Sequence, residues 1–479
     1  MAFQKTFWSI ILELAQNMKI LYPLLLIALA ISTSDVATAD DSVKKIGDSI
    51  VDANALNLGD EKFGEVRFGK NINGCTFQQD AIATHAGYQY VGYYDGDRQV
   101  CIGRRKLPLG KWEVIRFDDY AFESNDSHNT ISIGISPGNG TIHMAFDHHV
   151  HPLHYRVSKN EVATNPETTQ WQASLFGPIV SELEKNKKIK ITYPRFWQTP
   201  SGGLQICYRH RGSGNGSRML VDYDPKTSSW SNTRQIDSSK GTYGKSRSRG
   251  SYPNGYTYGP KGNLHTTWVW RERPGSANHD LMYAYSKDQG KTWLNNDGDK
   301  LNGPAALHSP GITVVNINEA YGLGNDFGQA VDSAGRIHAV VRHCNDGSLK
   351  AAGSKPGKVR FGPTAARRYY HYFRKANGKW ETRILPGVAA TRPKVFIDAA
   401  DNVYLIFQKL GKLVIMGATA SASWKDWKVM HTEPGLFSNE MLGDVYRWKD
   451  SAVLSIMVQE RPKKNEPTTL RILDFQFGK

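Results

Sequence analysis

The sequence predicts an all-β fold, a seven-bladed β-propeller built as a single domain. Three observations predict it: the composition, a turn-and-strand pattern that occurs seven times, and one complete hairpin motif of a kind found in propellers. The 479 residues include 45 Gly, 12 Trp and 22 Tyr, a usage typical of many short strands joined by tight turns. Such a composition excludes a disordered chain, a coiled coil and a multi-span membrane protein.

The repeat consists of a turn with small or acidic residues, followed by an alternating apolar strand. Successive copies are spaced 49 to 73 residues apart, which accommodates four short strands and matches a propeller blade. No stretch has a sustained 3.6-residue apolar period, although a short helix is expected over residues 179–188. The seven turns are centred on Gly87, Gly140, Gly203, Gly262, Gly335, Asp401 and Asp450.

The hairpin motif is an Asp-box, which residues 286–293 match in full with Ser-Lys-Asp-Gln-Gly-Lys-Thr-Trp. In this motif the side chains of Ser286 and Asp288 close a tight turn, Gly290 supplies a positive φ, and Trp293 packs between blades. The motif is specific for the fold but indicates almost nothing about chemistry.

The N-terminus has the pattern of a secretory signal peptide. Lys19 precedes an apolar run over residues 20–31, and a small-x-small cleavage pattern ends at Ala39. The run is short for a membrane span, so an uncleaved anchor is the less favoured alternative. We expect a secreted or periplasmic protein. The expected boundaries are a signal peptide over residues 1–39, with an N-terminal extension over 1–17, and a catalytic propeller over 40–479.

The four cysteines leave two alternatives open. Cys75 and Cys101 lie in neighbouring strand-like runs and would be able to pair in an exported protein. Alternatively these two, together with Cys207 and Cys344, are buried free thiols. The sequence has no CxxC pair, which excludes a zinc ribbon.

The net charge of +15, from 60 Lys+Arg against 45 Asp+Glu, favours a polyanion as the partner. Export of the protein, together with basic residues expected to lie in a cleft, favours an acidic or sulfated polysaccharide over nucleic acid or an anionic membrane. We therefore expect no nucleic-acid partner, no stable membrane insertion and a monomer.

Polar residues are expected to converge at one end of the propeller. Within a blade, residues about ten before the turn lie beside residues six to eight after it, because the two strands pair antiparallel. Two consecutive blades then place four side chains beside one cleft: His128, His148, Tyr193 and Arg209.

This set suits removal of a proton next to a carboxylate group. A glycosidase generally needs two carboxylates, or a nucleophilic Tyr with its Glu, whereas acidic residues are sparse in the predicted cleft. Arg and His instead neutralise a carboxylate and stabilise an enolate-like charge, while His and Tyr act as base and acid. The predicted reaction is β-elimination on a uronic acid.

The segments around these residues resemble a known family. Residues 125–137 and 146–149, together with 193–196 and 207–214, are similar to the BNR-repeat polysaccharide lyases. More narrowly, the chain resembles the seven-bladed ulvan lyases of polysaccharide lyase families 24 and 25. The resemblance implies endolytic cleavage of ulvan, a sulfated rhamnose–uronate polymer, at C4 of glucuronate or iduronate, which leaves unsaturated uronate ends.

The resemblance also implies roles for individual residues. Arg209 and His148 would neutralise the uronate carboxylate, and His128 and Tyr193 would share the base and acid roles. His149 adjoins His148, and strand alternation lets only one of the two face the cleft. The residues expected to bind substrate are Tyr252, His149, Arg195 and Arg211.

No cofactor is required for this chemistry, but the resemblance implies a structural metal in some members. Zinc prefers His and Cys ligands. His279, His343 and Cys344 lie at corresponding ends of neighbouring predicted blades and are the expected ligands. A free cysteine and core histidines are the alternative.

Two other function classes stay open. An exo-sialidase would need an arginine triad, for which Arg209, Arg392 and Arg195 are candidates, but its Arg-Ile-Pro signature is absent from the sequence. A non-catalytic polyanion-binding propeller would need the cleft arginines and aromatic residues, but neither His128 nor Tyr193.

Overall fold

The computed structural model describes residues 43–478, apart from residues 76–79, 169, 326, 358–359 and 439. The chain divides into two compact units, of which Val43–Gln476 is the larger. The predicted signal peptide, with its extension and cleavage site, lies outside the described residues. None of the helices within the described ranges has the length and apolarity needed to cross a bilayer.

The described chain is built almost entirely of short strands. The first strands are β1 (Val43–Ala55), β2 (Ile82–His85), β3 (Tyr88–Tyr94), β4 (Gln99–Lys106), β5 (Glu113–Ala121), β6 (Ile131–Ile135), β7 (Ile142–Phe146), β8 (His149–Pro152) and β9 (Tyr155–Val157). The next are β10 (Lys190–Gln198), β11 (Leu204–His210), β12 (Ser217–Asp224), β13 (Ser229–Gln235), β14 (Lys240–Tyr243), β15 (Ser246–Ser248), β16 (Gly250–Tyr258), β17 (Leu264–Arg271), β18 (Asn278–Ser286) and β19 (Thr313–Val315). The last are β20 (Gly328–Val331), β21 (Ile337–His343), β22 (Arg368–Arg374), β23 (Trp380–Ile384), β24 (Lys394–Ile397), β25 (Val403–Lys409), β26 (Lys412–Ala418), β27 (Lys428–Glu433), β28 (Leu442–Gly443), β29 (Val453–Gln459) and β30 (Thr468–Phe477).

Helices are short. The α-helices in the described ranges are α1 (Asp346–Ala351) and α2 (Val445–Ser451). Single 3-10 turns occur at Glu61–Phe63, Pro166–Thr168, Ala173–Leu175, Glu319–Tyr321 and Thr364–Ala366. The helix expected over residues 179–188 is wrong, because this segment instead forms isolated bridges, Val180 with Tyr155 and Glu182 with Lys188.

The strands form seven antiparallel blades, so the predicted seven-bladed propeller is confirmed. In order, the blades are β2–β5, β6 with β7 and β9, β10–β13 with β8, β16–β19, β20–β23, β24–β27, and β28–β30 with β1. Strand β6 contacts β2 and β10, and β20 contacts β16 and β24. The first strands of the blades therefore line the central axis.

The repeated turns connect the first and second strands of the blades, as the sequence pattern predicts. Gly87 and Gly335 adopt φ of 75° and 79° in these turns, a left-handed conformation that glycine reaches without strain. In the seventh blade the connection is helix α2, which includes Asp450.

The Asp-box forms the predicted hairpin after β18. The hydroxyl of Ser286 accepts the backbone N–H of Gly290 at 2.7 Å, and Asp288 Oδ1 accepts that of Thr292 at 2.8 Å. Trp293 is buried and packs with Leu220 of the preceding blade. The motif thus joins blades three and four.

The first strand of the described chain closes the ring. β1 adds to β30 as the outer strand of blade seven. In β30 the buried Asp474 carboxylate is bound by Arg105 of blade one at 2.9 Å and by Arg447 of α2 at 2.6 Å. This ion network links the last blade to the first.

The structure decides between the two alternatives for the cysteines, a disulfide or buried thiols. All four are buried, and Cys75 and Cys101 do not form a disulfide with each other. The thiol of Cys75 instead donates to the hydroxyl of Ser127 at 3.3 Å.

Candidate active site

Three side chains that the sequence singled out meet at one end of blades two and three. They are His128, His149 and Tyr193, and we call them the His–Tyr cluster. The Tyr193 hydroxyl lies 3.3 Å from Nδ1 of His128 and 3.5 Å from Nε2 of His149. A phenol between two imidazoles is an arrangement that can move a proton in either direction.

A β-bulge in β10 places Tyr193 in this cluster. Thr192 pairs with Arg209 and Arg195 pairs with Cys207, so Tyr193 and Pro194 together face a single residue of β11. Tyr193 has a φ of 54°, which is uncommon for a non-glycine residue. Bulges and such backbone conformations are frequent next to functional sites, where they redirect a side chain.

Asp126 orients both histidines, and sequence reasoning missed it. Its Oδ1 accepts the backbone N–H of His128 at 3.0 Å, and its Oδ2 lies 2.8 Å from Nδ1 of His149. The sequence contains a signal for this contact, because an Asp commonly accepts the backbone N–H of the residue two positions later in an Asx turn.

The structure places the two adjacent histidines differently from the prediction. His149, and not His148, belongs to the cluster. His148 is fully buried, its Nε2 accepts the backbone N–H of His154 at 2.9 Å, and burial lowers its pKa to about 3. Strand alternation failed here because β7 ends at Phe146 and Asp147 has a φ of 61°.

Arg209 lies where the sequence predicts, beside Tyr193. Its guanidinium carbon is 4.7 Å from the Tyr193 ring and 5.1 Å from the Tyr252 ring. Tyr252, expected to bind substrate, is 2% exposed. Its hydroxyl accepts from Arg271 Nη1 at 3.0 Å and lies 2.7 Å from the Ser213 hydroxyl. Tyr252 is therefore packed between two guanidinium groups.

Five arginines from four blades concentrate positive charge near the cluster. Arg392 binds Glu440 at 2.7 Å. In contrast, Nη2 of Arg271, Nε of Arg342 and Nε of Arg360 are buried and have no hydrogen-bond acceptor among the described residues. Buried donors of this kind are suited to an anionic ligand. We call this set the arginine group: Arg209, Arg271, Arg342, Arg360 and Arg392.

These charges change the titration of the site. Burial lowers the pKa of His128, and the neighbouring His149 and the positive charges of Arg392, Arg209 and Arg271 lower it further. Burial and Arg392 also lower the pKa of Arg342 to about 10. His128 is therefore a neutral imidazole in the free protein.

The structure places Arg195 and Arg211 outside the His–Tyr cluster. Arg195 is buried and lines a central cavity of about 140 Å³ beside Asp80. Burial raises the pKa of the Asp80 carboxyl to about 6, an effect that the Arg195 charge opposes. Arg211 is exposed just beyond the end of β11. Arg195 also lines a small cavity that it shares with Tyr193 and Arg209, so it lies next to the cluster.

The expected zinc ligands do not form a site. Both ring nitrogens of His279 are bonded to carboxylates, Glu272 and Asp280, each at 2.9 Å. Those of His343 bond to the Cys344 carbonyl at 2.7 Å and the Tyr372 hydroxyl at 3.0 Å. The ring nitrogens of both histidines are thus engaged in other hydrogen bonds. His343 is a core histidine, which was the alternative interpretation.

Within the part of the chain that the structure describes, one group of donor atoms is compact enough for a metal ion. Donor atoms of Asp126, His128 and His149 lie within 4.8 Å of one another. However, the charges of Arg209, Arg271 and Arg392 act on His128, and they oppose the binding of a cation there. The residues of this site fit an anion better than a metal.

Comparison with known proteins identifies the family. A family model described as a BNR repeat-containing family member matches residues 88–387. The chain belongs to this family. The match confirms the BNR-repeat resemblance of the segments around the cleft, and it includes every residue of the His–Tyr cluster.

Curated relatives of this family member are ulvan lyases. The chain is 24% identical over 527 residues to a long-isoform ulvan lyase of Glaciecola sp. (strain KUL10), with 96% of this chain and 49% of that protein covered. It is 27% identical to the long isoform of Alteromonas sp. (strain LOR), with 60% and 34% covered. The chain spans about half or less of the length of these relatives.

Solved structures with the same fold are polysaccharide lyases. The structure of polysaccharide lyase Uly1 has a TM-score of 0.73 at 18% identity, with 90% of this chain and 99% of that chain covered. A PL25 ulvan lyase bound to GlcA(1-4)Rha3S has a TM-score of 0.67 at 13% identity, with 91% and 96% covered. At these identities the likeness shows the propeller fold.

Proposed function

We propose that this protein is a polysaccharide lyase that cleaves ulvan by β-elimination. The main observation in support of the proposal is the position of Tyr193. Its hydroxyl lies between His128 and His149, and the guanidinium group of Arg209 lies against its ring. The relatives of similar sequence are named ulvan lyases, and this supports ulvan as the polymer. Because ulvan is too large to enter a cell, the predicted export is consistent with it.

The reaction needs one proton removed and one delivered. A base takes the C5 proton of the uronate, the C4–O4 bond breaks, a C4=C5 double bond forms, and an acid protonates the departing O4. Arg209 neutralises the uronate carboxylate, so that negative charge developing at C5 is delocalised into a paired group. We predicted that His148 shares this neutralising role; to His149, whose Nε2 lies 3.5 Å from the Tyr193 hydroxyl, we assign the orientation of that hydroxyl instead.

His128 and Tyr193 are suited to the base and acid roles. A neutral imidazole can accept the C5 proton only if its conjugate acid is not too strongly disfavoured. Burial is the largest cause of the lowered pKa of His128, and binding of a carboxylate offsets the arginine charges that lower it further, so substrate raises the basicity of His128. Tyr193 then protonates O4, and the two residues exchange roles for the other C5 epimer.

The arginine group supports an anionic polymer as substrate. Three of its arginines have a buried nitrogen with no hydrogen-bond acceptor among the described residues: Arg271, Arg342 and Arg360. They lie on blades four and five, whereas the cluster lies on blades two and three. An alternating polymer with a carboxylate and a sulfate would present negative charge to both regions. A neutral polysaccharide would leave these donors without partners, at considerable cost.

The test measures elimination and binding on the same variant. Ulvan is incubated with the full chain and ultraviolet absorbance from the conjugated double bond is followed, with pectic and heparin-type polymers in parallel. We expect absorbance on ulvan. Tyr193→Phe should lower the rate by about 10²- to 10⁴-fold, the usual contribution of a general acid or base, while polymer binding stays close to that of the wild type.

Other outcomes assign other functions. Absorbance on a different uronate polymer would keep the reaction and change the substrate. Binding without absorbance on any polymer would contradict the lyase and leave a polyanion-binding propeller. New reducing ends without a double bond would indicate hydrolysis, as expected of a glycosidase.

A further inference from the structure

Phe68 is the only exposed aromatic side chain among the residues that the structure describes. Half of its surface, 50%, is accessible. Its ring stacks on that of His128, with centroids 3.8 Å apart and an interplanar angle of 16°. Phe68 lies in the connection between β1 and β2, outside the residues 88–387 that the family model matches. Solvent thus reaches an apolar ring directly beside the candidate active site.

The connection that carries Phe68 is held firmly in place. The side-chain amide of Asn125 donates to the Gly64 carbonyl at 2.6 Å. The backbone N–H of Arg67 donates to the Asn125 carbonyl at 2.9 Å, and that of Ser127 donates to the Arg67 carbonyl at 3.2 Å. The exposed ring is therefore presented by a rigid backbone bonded to the turn that contains His128.

The backbone at Phe68 is in a conformation that bulky residues rarely adopt. Its φ is 64°, in the left-handed region where glycine is preferred. Folding alone gives no reason for an exposed phenylalanine here. Other exposed residues of this chain, Leu410 among them, also have a positive φ, so the position of Phe68 against His128, and not its φ alone, distinguishes it.

Arg67 adds a positive charge next to this ring. Its side chain is 61% exposed, and one guanidinium nitrogen lies 3.4 Å from Asp126 Oδ2. The guanidinium carbon is 5.3 Å from the Phe68 centroid. An apolar ring face and a cation side by side match a pyranose ring that carries an anionic group.

We propose that Arg67 and Phe68 form a saccharide subsite beside the scissile bond. The C–H face of a pyranose ring packs on the accessible surface of Phe68, and Arg67 contacts a sulfate or carboxylate of the polymer. The inference rests on the proposed function for the identity of the substrate. The subsite would form one side of the cleft, contributed by the connection between the last blade and the first.

The experiment measures binding of size-defined ulvan fragments by calorimetry, in the Tyr193→Phe background that does not turn them over. Phe68→Gly should weaken binding about tenfold, as expected for the loss of one apolar contact. Its Tm should equal or exceed that of the background, because glycine relieves the positive φ. Leu410→Gly is the matched control, since Leu410 is 86% exposed with a φ of 53°, and it should leave binding unchanged.

Arg67→Gln identifies the anionic group. It should weaken binding several-fold at low salt, with the effect lost at high salt, whereas the effect of Phe68→Gly persists. If the effect of Arg67→Gln disappears on desulfated fragments, the group is a sulfate; if it remains, the group is a carboxylate.

Two results would overturn the subsite. In the first, Phe68→Gly leaves fragment binding unchanged but lowers kcat when introduced into the otherwise wild-type chain. Phe68 would then only shield His128 from solvent. The second is a lower Tm in Phe68→Gly, which would make it a structural residue. Failure of the proposed function can be distinguished from failure of the subsite. The wild type would then form no unsaturated product from ulvan, while the comparison of fragment binding would still be valid.

Discussion

At the His–Tyr cluster a single carboxylate controls two side chains. Asp126 binds the backbone of His128 and, at 2.8 Å, Nδ1 of His149. An ionised carboxylate only accepts hydrogen bonds, so Nδ1 of His149 carries the hydrogen and Nε2 offers its lone pair toward Tyr193. Asp126 is thus a positioning residue that fixes the tautomer of His149.

Asp126→Asn should therefore lower kcat on ulvan by roughly 100-fold, because an amide no longer enforces that tautomer. Most of the effect should fall on kcat, since Asp126 acts through His149, and a smaller change in KM is expected because Asp126 also contacts Arg67 at 3.4 Å. Steady-state kinetics check both values. The exposed Asp118→Asn is the control and should behave as the wild type. A rise in KM with unchanged kcat in Asp126→Asn would contradict the positioning role.

At the scale of one blade, a buried ion network ties together three strand ends. Arg249, which precedes β16, binds both oxygens of Glu272 after β17, at 2.9 and 3.0 Å. His279 of β18 binds Glu272 at 2.9 Å. Burial by itself would raise the pKa of Glu272, but these bonds outweigh burial and lower it to about 2.

This shift makes the stability of blade four depend on pH. A carboxyl whose pKa is lowered on folding stabilises the fold above its unfolded pKa, here 4.5, and this contribution is lost as the pH falls toward 2. We expect Glu272→Gln to be less stable than the wild type at neutral pH, with the difference shrinking below pH 4.5. Urea unfolding across this range measures it. The exposed Glu466→Gln should show no such trend; parallel curves for Glu272→Gln would contradict the prediction.

At the scale of the whole molecule, stability depends on closing the ring. Outer strand β1 joins β28–β30, and Asp474 lies 2.9 Å from Arg105 of blade one and 2.6 Å from Arg447 of α2. All three side chains are at least nine-tenths buried. Removing the carboxylate would leave two buried guanidinium groups close together.

Asp474→Ala should accordingly lower the free energy of unfolding by about 3–5 kcal/mol, the usual cost of breaking a buried ion pair. Its urea midpoint should fall, while the exposed Asp97→Ala stays within about 0.5 kcal/mol of the wild type. An Asp474→Ala protein with an unchanged midpoint would show that the ring closes without this network.

The fold was predictable because its signals are local and repeated. Turn residues such as Gly87 and Gly335 specify a backbone conformation by themselves, and Ser286 and Asp288 close their own hairpin. The helix expected over residues 179–188 failed because isolated bridges to other segments override weak local preference. Helix α2 escaped notice because its seven residues replace a turn.

The sequence by itself determined the blade number, the BNR-repeat family and the placement of His128, Tyr193 and Arg209, because antiparallel pairing converts spacing into position. Only the tertiary structure placed His149, and not His148, beside Tyr193, since a positive φ at Asp147 ends the strand alternation. It also showed the contacts that Asp126 and Phe68 make with His128 and the carboxylate partners of His279. These depend on backbone conformations and on contacts between distant segments, which have no period that can be read along the chain.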